Sequence, residues 1–173
     1  VLFMQQTISS NEFVPVILGG DITAYSLARA FHEAYGVRPV SVSRLQSEMI
    51  SRSGILENIV MPDLENTALF AQRLCGVAAR YPGRRCILLA CGDWYVRLIA
   101  EHRAALEERF IIPYIPLEQM NRLVRKNSFY RLCAELGIPY PKTVVCDCAA
   151  IELPELPFGY PIIAKPAASA EYH

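Results

Sequence analysis

The chain has 173 residues, 53% of them hydrophobic, and its 17 basic residues balance its 17 acidic ones. This length suffices for one complete domain and part of another. The zero formal charge gives no reason to expect a broad nucleic-acid or membrane surface, because anionic backbones select net basic faces. We find no apolar run long enough to cross a bilayer and no secretory signal, so we expect a cytoplasmic protein.

The six cysteines fit a reducing compartment. Most of them lie within apolar runs, where cysteine behaves as a small hydrophobic residue, and reduced thiols are the simplest interpretation. Cys146 and Cys148 flank Asp147 and could chelate a metal. However, no second Cys/His pair has a matching spacing, and zinc sites need four ligands, so we expect no metal site in this chain.

Strands and helices are predicted to alternate from Phe13 to about residue 115. FVPVILGG predicts a buried strand, and ITAYSLARAFHEAYG predicts a helix that ends at Gly36. Two further strands are predicted at VRPVSVS and ENIVM. A helix is predicted at NTALFAQRLCGVAARYPG, and a fully buried strand at CILLAC. GDWYVRLIAEHRAALEERF predicts a helix with Asp93 as its N-cap, and FIIPYI a short strand. This order predicts an α/β fold, a Rossmann-like parallel sheet flanked by helices with right-handed crossovers.

A second unit is predicted to begin near Leu117. The predicted organisation is a tail at residues 1–12, a domain at 13–116, and the incomplete beginning of another domain at 117–173. LEQMNRLVRKNSFYRLCAELG predicts two short helices or one broken helix, with Gly137 as the stop. Short strands are predicted at KTVVCD and YPIIAK. They lie in a proline-rich segment, since six of the twelve prolines come after residue 138.

Glycine turns follow two of the predicted strands. ILGGDITAYSLAR joins a strand, a glycine pair and a helix N-terminus, where free amides and the helix dipole favour an anion. A dinucleotide fold would have G-x-G-x-x-G here and an acid after the next strand. Gly19 and Gly20 supply part of that pattern, and Arg44 could instead face the 2′-phosphate of NADP. A tight turn without a ligand is the alternative.

Catalytic residues are not predicted by any single pattern. In ACGDWYVRL, Asp93 is expected to cap a helix rather than act as an acid, and Trp94 to line the core or a cleft. His32 is expected on a solvated helix face, His102 at the edge of the core, and His173 is terminal. No Ser-His-Asp or Cys-His arrangement can be argued from these positions.

The second unit carries a more specific pattern. RKNSFYRLCAELGIPYPKTVV, followed further along by FGYPIIAKP, resembles the ATP-grasp superfamily. In that pattern a lysine or arginine opens a helix that ends in GIP.P, and a later strand delivers a lysine before a proline. The matching lysines here are Lys126 and Lys165. The first unit then resembles a pre-ATP-grasp domain, in the branch that contains D-aspartate ligases and carbamoyl-phosphate-synthase-like carboxylate–amine ligases. The resemblance covers nearly the whole chain from Phe13 onward.

The resemblance implies an ATP-dependent ligase that uses Mg²⁺ and activates a carboxylate as an acyl phosphate before an amine or thiol attacks it. It implies that Lys126 and Lys165 contact ATP phosphates. It also implies substrate-side residues in the first unit, and these are Gly19, Gly20, Asp21 and Thr23. Because the family's glycine-rich loop and magnesium-binding acids lie downstream of the second lysine, we expect this chain to be an N-terminal fragment that is inactive alone.

A non-catalytic Rossmann-like module that binds NADP or another nucleotide is the alternative to a ligase. The sequence leaves open which carboxylate and amine are used. It also leaves open the oligomeric state, for which a homodimer is one alternative.

Overall fold

The computed structural model describes residues 12–146 and 155–167. The chain divides into two compact units, with the boundary between Ile115 and Pro116. Asp147 and Cys148 of the candidate chelating motif lie outside the described residues, as do His173 and residues 1–11 of the predicted tail.

The first unit is built on a five-stranded, wholly parallel sheet. Its strands are β1 (Phe13–Leu18), β2 (Val40–Ser43), β3 (Glu57–Val60), β4 (Arg85–Ala90) and β5 (Phe110–Ile111). They lie in the order β3-β2-β1-β4-β5, so the direction of winding reverses between β1 and β4. This architecture confirms the predicted α/β, Rossmann-like sheet. In open sheets of this type, ligands bind beyond the carboxyl ends of the strands at the point of reversal.

Helices cover both faces of the sheet. On one face lie α1 (Ile22–Tyr35) and α2 (Glu48–Ser51), and on the other lie α3 (Thr67–Ala78), α4 (Asp93–Glu101) and α5 (Arg103–Leu106). Right-handed crossovers that run in opposite directions along a sheet place their helices on opposite faces. The chain runs from β1 through β2 to β3 at one edge of the sheet, and then crosses to β4 and β5 on the other side of β1. This reversal accounts for the two groups of helices on opposite faces.

The core lies mainly on the face covered by α3, α4 and α5. There Val14, Val16 and Leu18 of β1 are fully buried against side chains such as Phe70 and Leu98. A smaller cluster on the opposite face packs Ile17 against α1 and α2. The period-2 alternation of strand side chains assigns successive residues of β1 to these two clusters.

Strand β4 is only half buried, so the prediction of a fully buried CILLAC strand was wrong. Cys86 and Leu88 are buried under α3, α4 and α5, whereas Ile87 and Leu89 on the other face are half-buried. The physical reason is helix placement, because α1 packs on β1 and β2, and α2 packs on β3. The face of β4 on the same side of the sheet as α1 and α2 is therefore less covered by helices.

The predicted N-cap at Asp93 was also wrong. Gly92 occupies the cap position with φ 138°, and Asp93 is the first residue of α4. Glycine has no Cβ and adopts this φ readily, which explains the one-residue shift. The single predicted helix breaks at His102, whose ring lies 5.5 Å from that of Phe70 at the edge of the core. His32 is half-buried rather than solvated, and its Nδ1 lies 2.8 Å from the carbonyl oxygen of Val37.

The second unit contains two short helices, as predicted, namely α6 (Leu117–Val124) and α7 (Lys126–Glu135). Helix α7 ends in a Schellman motif. In this motif Gly137 has φ 66° and the Ile138 amide donates to the Cys133 carbonyl at 2.8 Å.

The two strands predicted in the second unit are absent from its described residues. Within KTVVCD residues 142–146, and within YPIIAK residues 160–165, the backbone forms no strand. A strand is stable only when a neighbouring strand pairs with its backbone groups. The described part of this unit offers no such neighbour. In the same part of the chain, residues 12–146 and 155–167, no helix combines the length and hydropathy needed to cross a membrane.

Candidate functional site

The turn after β1 is tightly packed against the neighbouring strands. A Cβ on Gly20 would lie 2.8 Å from the Cβ of Ser43, and a Cβ on Gly19 would lie 3.2 Å from the Cβ of Cys91. Gly19 also has φ 144°, which side chains rarely permit. The Ser41 hydroxyl donates to the Gly19 carbonyl at 2.7 Å. The glycine pair is therefore required by the close approach of β1 to the ends of β2 and β4.

Asp21 caps helix α1. Its Oδ1 accepts hydrogen bonds from the Thr23 amide at 3.0 Å, the Ala24 amide at 3.1 Å and the Thr23 hydroxyl at 2.5 Å. The Thr23 hydroxyl, together with the backbone amides, lowers the pKa of Asp21. The amides that could bind a phosphate at the start of this helix thus already donate hydrogen bonds to the Asp21 carboxylate. That carboxylate is ionised at neutral pH. The geometry of this turn favours a cationic neighbour over an anionic one.

The turn after β4 lies beside the glycine pair. The Cys91 amide donates to the Leu18 carbonyl at 2.8 Å, which extends the β1–β4 pairing by one residue. Burial raises the pKa of the Cys91 thiol, so this cysteine is a neutral thiol rather than a nucleophilic thiolate. Trp94, in the first turn of α4, is 39% exposed. The two turns lie side by side at the carboxyl ends of β1 and β4, the topological switch point of the sheet.

Glu65 links the residue after β2 to helix α4. It forms an ion pair with Arg44 at 2.9 Å, and the Tyr95 hydroxyl donates to its Oε1 at 3.3 Å. Burial and the nearby Glu65 raise the pKa of Tyr95 to about 12. Arg44, the candidate for a 2′-phosphate, is therefore already engaged with a carboxylate. Sequence reasoning missed Glu65, because this residue lies in the β3–α3 loop and belongs to no motif.

The two lysine-bearing segments of the second unit meet through the backbone. The amide of Lys126 donates to the carbonyl of Ala167 at 2.9 Å, and Ala167 lies two residues after Lys165. Lys126 is half-buried at the first position of α7. Lys165 is exposed and does not lie on a strand, which differs from the strand predicted for YPIIAK.

The start of α7 is electrostatically unusual. Arg125 holds the N-cap position without a side-chain capping bond, and the first turn contains no acidic residue. Within the described residues, neither Lys126 nor Lys165 has a carboxylate partner. Cations are unfavourable at a helix N-terminus, which already carries about half a positive charge. This arrangement therefore concentrates positive charge where an anion would be stabilised.

Clusters of candidate metal ligands are absent from the described residues. Nowhere in residues 12–146 and 155–167 do three or more His, Cys, Asp or Glu side chains come close enough to hold a metal ion. Mg²⁺ is usually bound through one or two carboxylates together with substrate phosphates, so this finding concerns only sites built wholly from side chains of these residues.

Comparison with known proteins gives one informative match. No protein-family model matches the chain. The chain is 37% identical over 176 residues to the D-aspartate ligase of Enterococcus faecium (strain Aus0004). The match covers 98% of this chain but only 42% of that protein, so this chain spans less than half the length of its relative.

Proposed function

We propose that this chain is the N-terminal part of an ATP-dependent carboxylate–amine ligase of the ATP-grasp type, and that its second unit contributes two lysines to the ATP site. The observation that carries the proposal is the hydrogen bond between Lys126 and Ala167, which joins the two lysine-bearing segments. The similarity to a D-aspartate ligase along almost the whole chain supports it independently.

The charge at the start of α7 suits a polyphosphate. Lys126 adds its ammonium group to the positive end of the helix, and the exposed Lys165 lies on the segment that is hydrogen-bonded to it. Lysine ammonium groups act as point charges toward phosphate oxygens. The two lysines would hold the terminal phosphates of ATP while the γ-phosphoryl group is transferred. ATP would bring Mg²⁺ as its counterion.

The proposed reaction has two steps. A carboxylate oxygen of the substrate attacks the γ-phosphorus of ATP, which gives an acyl phosphate and releases ADP. The nitrogen of an amine then attacks the acyl carbon, loses a proton and expels phosphate to form an amide. The contribution of the lysines is positioning and neutralisation of phosphate charge, which dominate catalysis of phosphoryl transfer.

The two turns at the carboxyl ends of β1 and β4 are proposed to receive the substrates. Asp21 places an ionised carboxylate at the first of these turns, beside Thr23 and the glycine pair. An ammonium group is favoured next to such a carboxylate, whereas a phosphate would be repelled. We therefore propose that Gly19, Gly20, Asp21 and Thr23 face the amine substrate.

The alternative is a binding module for NADP. The strand order of the first unit matches that of dinucleotide-binding folds, which favours this alternative. Two contacts argue against it. The α1 amides that would bind the pyrophosphate are occupied by Asp21, and Arg44 is paired with Glu65.

Titration calorimetry on the full-length ligase tests the lysine assignment. Lys165→Met keeps the apolar stem but removes the charge, so packing is retained while the attraction to phosphate is lost. A charged hydrogen bond contributes about 1.5–3 kcal/mol, so we expect ATP affinity to fall about ten- to a hundred-fold. Lys126→Met should behave alike, and the double variant should be less than additive because both lysines act on the same phosphates.

Arg44→Ala is the matched control. It should leave ATP affinity unchanged if the lysines bind the nucleotide, whereas it should abolish nucleotide binding if the first unit binds NADP. Normal ATP affinity in Lys165→Met would remove the central residue of the proposal.

A further inference from the structure

A tyrosine hydroxyl takes the place of a neighbouring strand at the carboxyl end of β4. Strand β5 pairs only with the first half of β4 and ends at Ile111. The Ala90 amide, at the other end of β4, donates to the hydroxyl oxygen of Tyr114 at 2.7 Å. The next amide, that of Cys91, donates to β1, so the Tyr114 hydroxyl lies on the side of β4 away from β1. It therefore flanks the topological switch point of the sheet.

Tyr114 is held at both ends. Its backbone carbonyl accepts a hydrogen bond from the guanidinium group of Arg103, which also forms an ion pair with Glu107. Its half-buried ring packs against the larger apolar cluster of the first unit. The position of the hydroxyl is thus fixed before any ligand binds, and a fixed group costs little binding free energy to order.

The proton of the Tyr114 hydroxyl is available to a ligand. The hydroxyl oxygen accepts from Ala90, but among the described residues its own proton has no acceptor. Burial raises the pKa of Tyr114 above its ordinary value of 10.0, so the hydroxyl keeps that proton at neutral pH. A phenol that accepts one hydrogen bond can still donate another. Tyr114 therefore presents a neutral hydrogen-bond donor at the end of β4.

Polar side chains lead from this hydroxyl to Asp21. Cys91 follows Ala90, and its thiol lies near both the Tyr114 hydroxyl and the Thr23 hydroxyl. The Thr23 hydroxyl in turn donates to the Asp21 carboxylate at 2.5 Å. This polar row crosses the carboxyl ends of β1 and β4, with a negative charge at one end and a neutral donor at the other.

We propose that Tyr114 is a specificity-determining residue, and that its hydroxyl donates to a carboxylate on the same substrate whose ammonium group lies beside Asp21. The inference rests on the amine site proposed above for the turn after β1. An ammonium group needs an acceptor and a carboxylate needs donors, and the polar row supplies one of each. The amine substrate is then an amino acid, or another compound that carries both groups, rather than a simple amine.

NMR titration of the isotope-labelled 173-residue chain tests this role with two pairs of probes. The compound 4-aminobutyrate is compared with propylamine, and 6-aminohexanoate with pentylamine, because each amine lacks only the carboxylate of its partner. We expect at least one amino acid to bind about tenfold more tightly than its amine, since a hydrogen bond to a charged group contributes about that factor. In Tyr114→Phe this preference should disappear, whereas the affinity for the amine should be retained.

Tyr81→Phe is the matched control. It also removes a half-buried hydroxyl, but this one donates to Glu57 at the amino-terminal edge of the sheet, so the preference should be unchanged. A purely structural Tyr114 would make Tyr114→Phe weaken amino acid and amine alike, and that result overturns the inference, as does an undiminished preference. Wild-type binding of the amines without any preference for the amino acids overturns the inference alone, whereas no binding of any probe overturns the proposed amine site with it.

Discussion

Asp21 places a negative charge at the end of β1, where a dinucleotide fold keeps free amides for phosphate. The sequence indicated the glycine pair and the helix start, but not that the side chain of Asp21 would fold back onto the amides of Thr23 and Ala24. The same residue type at Asp93 was expected to cap a helix and does not. The difference arises from backbone conformation, since Asp21 is extended at its cap position whereas Gly92 takes that position before Asp93.

Replacing Asp21 separates capping from charge. Asp21→Ala should lower the free energy of unfolding by about 1 kcal/mol, because two amides lose their acceptor, whereas Asp21→Asn should cost less because asparagine also caps helices. Urea unfolding at neutral pH measures both effects. Equal losses in the two variants would mean that the negative charge, and not the cap, is what stabilises α1.

The pH dependence follows from the lowered pKa of Asp21. A carboxyl whose pKa is lower in the folded protein stabilises the fold above its unfolded pKa, and this contribution is lost as the pH falls through the folded value. The stability of the parent chain should therefore decline below the ordinary pKa of 3.8. The Asp21→Asn variant should show a shallower decline over that range, and identical acid profiles would contradict this assignment.

At the scale of elements, periodicity and glycine positions predicted the strand–helix order, whereas the cover on each strand depended on tertiary placement. CILLAC reads as a buried strand, yet Ile87 and Leu89 are half-buried because α1 packs elsewhere. The segment of Lys165 reads as a strand, yet its described residues have no strand to pair with. Glu65 was missed because its role depends on β2, β3 and α4 meeting in space. The local sequence pattern carries no information on tertiary contacts of this kind.

Two glycine-to-alanine changes should have opposite effects. Gly20→Ala should destabilise by about 1–3 kcal/mol, because the new Cβ would lie 2.8 Å from that of Ser43. Gly76 lies within α3 and a Cβ there meets nothing within 4 Å. Gly76→Ala should therefore stabilise by about 0.5–1 kcal/mol through helix propensity. Thermal unfolding of the two variants measures the difference, and a tolerated Gly20→Ala would contradict the close packing described for the turn.

At the scale of the whole molecule, the two units differ in how much of their own surface they bury. The first unit contains both apolar clusters, whereas in the second Met120 and Cys133 are the buried hydrophobic residues among those described. Residues 155–167 include Tyr160 and Ile163, which are 85% and 80% exposed. Stability against local opening follows buried apolar contact, so we expect it to be distributed unevenly along the chain.

Native-state hydrogen exchange should display this difference. Amides of β1 and β4 should exchange only through global unfolding, while those of residues 138–146 and 155–167 should exchange by local opening with much weaker protection. Mass spectrometry of peptic fragments measures both sets. Equal protection of the Ile163 region and of β4 would contradict the expectation.

The cap at Asp21 has a consequence for the speed of recognition. Because the Thr23 and Ala24 amides are satisfied within the chain, the turn after β1 is ordered before any ligand arrives. A molecule that binds there contacts a turn that is already ordered, so little binding free energy is spent on ordering the protein. Its arrival should be limited by diffusion and by the attraction of its charge to the Asp21 carboxylate, so added salt should slow the association of a cationic ligand more than its departure.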